Sequence, residues 1–383
     1  MRRVVVLGAG FAGLTLATEL EGVAREGRAK VTLIEGAASF QMGLSAQFAL
    51  ASRRGPAEGR RPYSALAARH VHFINEHARA IDTAAKVVRT DRGDEPYDFL
   101  IVATGAEAAP EIVPGLAETA HNLCDVDSVM KMKEDLERIR SGTVVMLIAA
   151  VPFKCPPAPY EYALLADEIL AERGVRSRCS LVVATPEPQP MPVAGKQAGD
   201  AVKAFLDARG ITCRFQQKVR EVDAVAHTIH FEGGATLEFT ILGAMPPHRA
   251  PKAVRDAGLC DASGFVPVDL ATMATAVEGV FAVGDVAALK LPDGRLHPKA
   301  GVFAEGQARA VASGLRAELD GTAAEPYTGR GACFVDVGHG QAAPAEMDLL
   351  GPGGPKAMIG SPSKEGLDAK RAFEAERLAR WFG

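Results

Sequence analysis

A chain of 383 residues that is 48% hydrophobic and 23% charged has the composition of a globular protein of two or three domains, not of a disordered one. Its net charge of −4 and the absence of any basic run leave no electrostatic footprint for nucleic acid. No apolar run approaches the ~18 residues of a membrane span, and the six cysteines, scattered without a CxxC pair, fit neither a zinc site nor a secreted disulfide framework.

The N-terminal MRRVVVLGAG reads as a first strand, Arg3 to Leu7, because glycines cut its apolar run before an export signal is complete. The protein is therefore read as cytoplasmic. GAGFAG follows, placing Gly8, Gly10 and Gly13 in a G-x-G-x-x-G frame ahead of a helical pattern from Leu14 to Leu20. The next strand, Lys30 to Ile34, ends in Glu35, at the distance from the glycines where a carboxylate accepts from the ribose hydroxyls of an adenosine. Strand, glycine turn, helix and terminal acid together predict a cofactor containing ADP.

A loop from Pro56 to Pro62, with arginines between Arg53 and Arg61, is read as mobile, its charge as a solvated face. Tyr97 to Ala103 predict another buried strand, closing on Thr104 and Gly105. A helix from Val126 to Arg140 then leads to the stretch VVMLIAAVPFKCPPAPYE. Val144 to Ile148 predict a strand buried on both faces. A dinucleotide fold would continue with a glycine-rich turn; here Ala149 to Lys154 lead instead to Cys155, held between prolines that fix the backbone. Such a turn is poorly suited to a pyrophosphate and well suited to presenting a thiol. A helix from Tyr160 to Arg173 and a strand from Ser180 to Thr185 complete a second α/β unit without a glycine fingerprint, which argues against a pyridine nucleotide there.

GVFAVGD, Gly279 to Asp285, repeats the pattern of a short strand ending on a glycine, Gly284, and an acid whose carboxylate can accept from ribityl hydroxyls. The pairing of ATG with GD resembles two-dinucleotide-binding-domain flavoproteins and implies FAD. The predicted fold is α/β, with two Rossmann-like dinucleotide-binding domains of the disulfide-reductase type. Residues 1–108 and 250–316 form a discontinuous FAD domain, 109–249 the second unit, and 317–383 a small C-terminal α+β region. The final helix carries a sparse apolar stripe of Leu367, Phe373, Leu378, Trp381 and Phe382. Packing on the protein, packing on a second subunit of a homodimer, and peripheral contact with the inner face of a membrane all remain open for it.

In their order along the chain, GAGFAG with Glu35, IVATG, PFKCPPAPYE, PPHRAP, GFVPVD, VFAVGDV, HPKAGVFAEGQA and ACFVDVG resemble the sulfide:quinone oxidoreductases and the flavoprotein subunit of flavocytochrome c sulfide dehydrogenase. The resemblance implies a redox disulfide or polysulfide bridge between Cys155 and Cys333 on one face of the flavin, Glu161 as a general base near the sulfide path, and Lys299 near the flavin pyrimidine edge. Some members of the sulfide:quinone branch carry a third functional cysteine at the position of Cys124, with a histidine four residues later; this chain has Ser128 there. Cys124 is thus either functional or structural. Cys179, Cys213 and Cys260 are assigned as small buried apolar side chains, and His248 and His297 as surface or hydrogen-bonding groups.

The chemistry is consistent with the resemblance, since a disulfide gives a hydrosulfide an electrophilic sulfur with a thiolate leaving group. The leading expectation is FAD-dependent oxidation of sulfide, or a persulfide, to polysulfide or zero-valent sulfur, with a quinone or another electron acceptor and no metal. The alternatives are an NAD(P)H-dependent disulfide or quinone reductase, and a non-catalytic redox-responsive flavoprotein.

Overall fold

Runs of β-branched residues bounded by glycine turns build two five-stranded parallel sheets in the computed structural model, which describes residues 1–383. In the first, the strands run Val280–Ala282, Phe99–Val102, Arg2–Leu7, Ala29–Ile34 and His72–Ile74, every neighbouring pair parallel. A short strand late in the chain thus completes the sheet that the N-terminus begins. In the second, the order is His121–Asn122, Ile241–Met245, Gly142–Ile148, Cys179–Ala184 and Thr212–Arg214. Val144 to Ile148 are buried on both faces, as a parallel strand covered by helices requires. The helices predicted from Leu14, Val126 and Tyr160 span Phe11–Arg25, Val126–Arg138 and Ala158–Glu172.

The C-terminal region is a three-stranded antiparallel sheet, Arg330–Gly338, Gln341–Asp348 and Lys356–Ile359, followed by the helix Lys364–Phe382. Ser363 caps that helix by accepting from the Gly366 amide at 3.0 Å. Of the predicted stripe, Leu367, Leu378 and Trp381 are buried, whereas Phe373 and Phe382 are half-buried. The helix packs on its own chain. Trp381 meets Phe11 and Phe40 edge-on at 5.1 and 5.5 Å between centroids, and Arg69 donates to the Trp381 carbonyl at 2.9 Å, satisfying an acceptor at the helix end. No helix is long and apolar enough to cross a membrane.

One expectation is overturned. The arginines around Pro56 are not all a solvated face: Arg53 bonds Asp336 at 2.5 Å and Glu168 at 3.0 Å, and Arg54 bonds Glu374 at 2.5 Å. Buried carboxylates on distant elements draw these cations inward, which a local reading of charge cannot foresee. Arg60–Pro62 also forms a strand paired with Ser39–Gln41, so the segment is not a free loop.

Trp381 is fully buried and links the C-terminal helix to the first sheet's helix. Trp381→Ala is expected to lower unfolding stability by ~3–5 kcal/mol through lost transfer energy and a residual cavity. Urea unfolding followed by far-UV circular dichroism checks this.

Candidate active site

The glycine turn after Arg2–Leu7 is built for close approach. A Cβ on Gly8 would lie 2.6 Å from the Ala103 carbonyl oxygen, and Gly8 has φ +95; a Cβ on Gly13 would lie 1.8 Å from the Gly8 oxygen. These two glycines let strand and helix touch. Gly10 differs, since a Cβ there would meet nothing within 4 Å, at the N-cap of Phe11–Arg25. Open space at the positive end of a helix suits a pyrophosphate. Glu35 accepts from the Ala9 and Ala37 amides, each at 2.9 Å, one on each carboxylate oxygen. Each oxygen retains acceptor capacity for a ribose hydroxyl. Thr104 and Gly105 follow the neighbouring strand Phe99–Val102, and Gly284 and Asp285 follow Val280–Ala282. These residues therefore all leave the same edge of one parallel sheet, where ligands of such sheets bind. The arrangement fits a dinucleotide containing ADP.

The Cys155 turn belongs to the second sheet, yet it is fastened to the first unit. Its backbone adopts a left-handed φ of +57, a conformation that costs a β-carbon-bearing residue ~1–2 kcal/mol. Two contacts hold it there: the Cys155 amide donates to the Lys299 carbonyl at 2.8 Å, and Lys154 and Lys299 form a parallel bridge. Lys299 Nζ donates in turn to the carbonyls of Asp285 at 2.6 Å and Ala287 at 3.1 Å, over the face of Phe265. Burial lowers the Lys299 ammonium to about 8, with Asp285 opposing that shift.

Cys333 lies on Arg330–Gly338, against which the helix Ala158–Glu172 packs just after the Cys155 turn. Burial pushes both thiols up, Cys333 to about 12 and Cys155 further, with the Glu161 carboxylate adding to both shifts, the Cys333 charge adding to that of Cys155, and the Lys370 ammonium opposing them. The two cysteines therefore share one electrostatic environment, and both are free thiols.

Glu161 is held differently from the expected general base. It is 1% exposed and both its oxygens are engaged: Oε1 accepts from Lys370 Nζ at 2.9 Å and the Asp336 amide at 2.8 Å, and Oε2 from Gln47 Nε2 at 2.7 Å. Lys370 also donates to Gln47 Oε1 at 2.6 Å and lies 3.5 Å from Asp336 Oδ2. Burial alone would lower the Lys370 ammonium, but Glu161 and Asp336 hold it above its ordinary value. Burial would likewise raise Asp336, but Lys370 and Arg53 hold it below the usual carboxylate range. Glu161 is thus the centre of a buried ionic cluster, with both its oxygens already engaged inside the protein.

Lys370, Gln47 and Asp336 escaped the sequence reading. The only signal was Asp336 inside the apolar run FVDVG and Lys370 on the inner side of a helix read for its apolar stripe. Among the remaining cysteines, Cys179 is in the core and Cys213 and Cys260 are half-buried. Neither histidine is a surface group. His297 bonds the Tyr327 hydroxyl at 2.8 Å and its Nδ1 lies 2.9 Å from the Pro298 carbonyl, while His248 faces Cys124, its Nε2 at 3.6 Å from the sulfur.

Residues 2–308 match the family described as pyridine nucleotide-disulphide oxidoreductase. The chain belongs to that family. It is an oxidoreductase similar to sulfide:quinone oxidoreductases: 27% identical over 334 residues to the sulfide-quinone reductase of Aquifex aeolicus (82% of this chain, 76% of that protein), and 24% identical over 309 residues to the mitochondrial sulfide:quinone oxidoreductase of Mus musculus (74% and 65%). The solved structure of the sulfide:quinone oxidoreductase from Aquifex aeolicus superposes with a TM-score of 0.88 at 23% identity, covering 100% of this chain and 92% of that one. The α/β fold of the disulfide-reductase type read from the sequence is the observed one.

Two outcomes test the site. Gly10→Ala, whose Cβ meets no protein atom within 4 Å but occupies the approach to the turn, is expected to cut binding of added FAD more than 10-fold while the melting temperature of the apoprotein stays within a few degrees; flavin absorbance and calorimetry read this. Lys370→Met leaves Glu161 buried without its cation and is expected to destabilise by ~3–5 kcal/mol in urea unfolding.

Proposed function

We propose that this protein oxidises sulfide, or a persulfide, to polysulfide or zero-valent sulfur through Cys155 and Cys333, with FAD as cofactor and a quinone or another electron acceptor. Residues 1–108 and 250–316 form the FAD-binding unit, with Gly8, Gly10, Gly13, Glu35, Thr104, Gly105, Gly284, Asp285 and Lys299 as its contacts. Residues 109–249 carry the cysteine turn, and 317–383 bring in Cys333. The observation that carries the reading is the fastening of the Cys155 turn to Lys299, with the strand that bears Cys333 packed against the helix that follows that turn and bonded to its Glu161.

The protein's part in the chemistry follows from the thiols. Once the two thiols have given up two electrons to the acceptor and two protons to close a Cys155–Cys333 bridge, a hydrosulfide attacks one bridge sulfur, a new S–S bond forms, and the other cysteine leaves as thiolate. Burial makes such a thiolate costly, so its departure needs a cation close by. The ammonium of Lys370, paired to Glu161, is the cation that opposes the rise of both thiols. Glu161 holds that cation in place and is a positioning residue. FAD, when bound, supplies the two-electron acceptor and the relay to the quinone.

A pyridine nucleotide is disfavoured as the reductant. Beyond the missing glycine turn, Glu187, the acid just past Cys179–Ala184, is buried and bonded to Tyr160 and Thr185 at 3.3 Å each, turned into the protein. Anaerobic mixing with sulfide is expected to bleach the flavin rapidly and NADH slowly. Cys155→Ser and Cys333→Ser should each lower the sulfide-driven rate by ~100-fold or more with FAD content retained, and Cys213→Ser should match the parent protein. A Cys155→Ser variant with the parent rate overturns the reading.

A further inference from the structure

Cys333 and Cys155 pack against different cores. Cys333 lies on the core of the sheet that the N-terminus begins, which includes Val302, Phe303 and Tyr327; Cys155 lies on the core of the other sheet, which includes Phe153 and Tyr160. The spacing of the two sulfurs is therefore set by the contacts that join the sheets, not by either core. On the Cys155 side the joint is the 2.8 Å hydrogen bond from its amide to the Lys299 carbonyl.

On the Cys333 side a second joint reaches the same segment. Tyr327 stands six residues before Cys333, on the extended connection between the helix Gly301–Asp320 and the strand Arg330–Gly338. Its amide donates to the Ala271 carbonyl at 2.9 Å, and its ring has room because residue 306 is glycine: a Cβ there would lie 3.0 Å from Tyr327 Cε2. The hydroxyl reaches His297 Nε2 at 2.8 Å. His297 Nδ1 lies 2.9 Å from the Pro298 carbonyl oxygen, which can only accept, so Nδ1 carries the ring proton and Nε2 accepts from the tyrosine. Burial lowers the imidazole to about 4, the Pro298 carbonyl opposing and Lys299 assisting, so the ring is neutral at neutral pH and keeps that role. Phe303 meets the imidazole edge-on at 4.7 Å between centroids, and a Cβ on Gly331 would lie 3.0 Å from both Phe303 and Val302. The start of the Cys333 strand thus rests on the helix that walls the imidazole.

We infer that Tyr327 is a positioning residue for the thiol pair: its hydroxyl, donated to His297, holds the Cys333 strand in register with the Pro298–Lys299 segment from which the Cys155 turn hangs. The inference rests on the sulfur chemistry proposed above. A path of covalent and hydrogen bonds runs from Cys333 back to Tyr327, across to His297, along Pro298 to the Lys299 carbonyl, and from there to the Cys155 amide. Tyr327 and His297 are both buried, so breaking their bond leaves a polar atom without water to replace the partner. The bond matters to the reaction because closing a bridge between two thiols depends on how often their sulfurs meet, and a small displacement of one strand lowers that effective concentration steeply.

The test measures that concentration directly. The FAD-loaded protein is equilibrated without oxygen in glutathione buffers of graded ratio, quenched in acid, and the linked Cys155–Cys333 peptide is read by mass spectrometry; two protein thiols and one glutathione disulfide give one bridge and two glutathione thiols. Tyr327→Phe keeps the ring beside Gly306 and removes only the hydroxyl. It is expected to lower the equilibrium constant for bridge formation by about 10-fold or more, with flavin absorbance retained. His297→Phe should lower it similarly, and the double variant should fall no further than the worse single one. Phe231→Leu, a buried change in a cluster that contains neither cysteine, supplies a loss of stability elsewhere and should leave the constant at the parent value. An unchanged constant in Tyr327→Phe, losses that multiply in the double variant, or an equal fall in Phe231→Leu overturns the inference while the proposed chemistry stands. A parent protein that yields no Cys155–Cys333 peptide in any buffer overturns that chemistry, and this inference with it.

Discussion

The ion pair between Lys370 and Glu161 is the constraint on which the thiol site depends. It joins three elements that are distant in sequence: the helix that follows the Cys155 turn, the strand that carries Cys333 through the amide of Asp336, and the C-terminal helix. A charge with 0% side-chain exposure is retained only when every hydrogen-bonding direction is used, and here Gln47, Glu161 and Asp336 together surround the ammonium. Displacement of any one of these elements would leave a buried charge unmatched. The relative placement of the two cysteines is thereby tied to the docking of the last helix.

The same helix carries further charges inward. Glu374 bonds Ser45 and Arg54, and Arg377 and Arg380 both reach Glu305, itself 2% exposed. These charges are matched across the helix surface, to residues on different elements. Buried ion pairs contribute little net stability compared with apolar packing, but they discriminate strongly against wrong registers. Trp381, with Phe11 and Phe40, supplies the apolar part of the docking.

Two parallel sheets meet at the Cys155 turn, and the turn is held by backbone groups. A carbonyl of Lys299 fixes the Cys155 amide while the Lys299 ammonium is directed at the carbonyls of Asp285 and Ala287. One residue thus anchors the thiol-bearing turn and faces the end of the strand Val280–Ala282. The left-handed backbone at Cys155 is sustained by that anchoring, since nothing local to a lysine, cysteine and two prolines favours it.

Whatever depends on short spacing was legible along the chain. Gly8, Gly10 and Gly13 with Glu35, the buried strands at Val4 and Val144, and the replacement of a glycine turn by Cys155 are all written within a few residues, because backbone reach and strand periodicity act locally. Which charges meet depends on the packing of segments far apart in the chain. Glu161 was legible as an acid beside the cysteine motif, but its neutralisation by Lys370 depends on a helix more than two hundred residues away. Arg53 was placed in solvent by its neighbours in the chain and in the interior by Asp336 and Glu168. His248 was a loop histidine until the strand His248–Arg249 set it against Cys124. Electrostatic partners are chosen by distance in space under low dielectric, and a sequence records distance only along the chain.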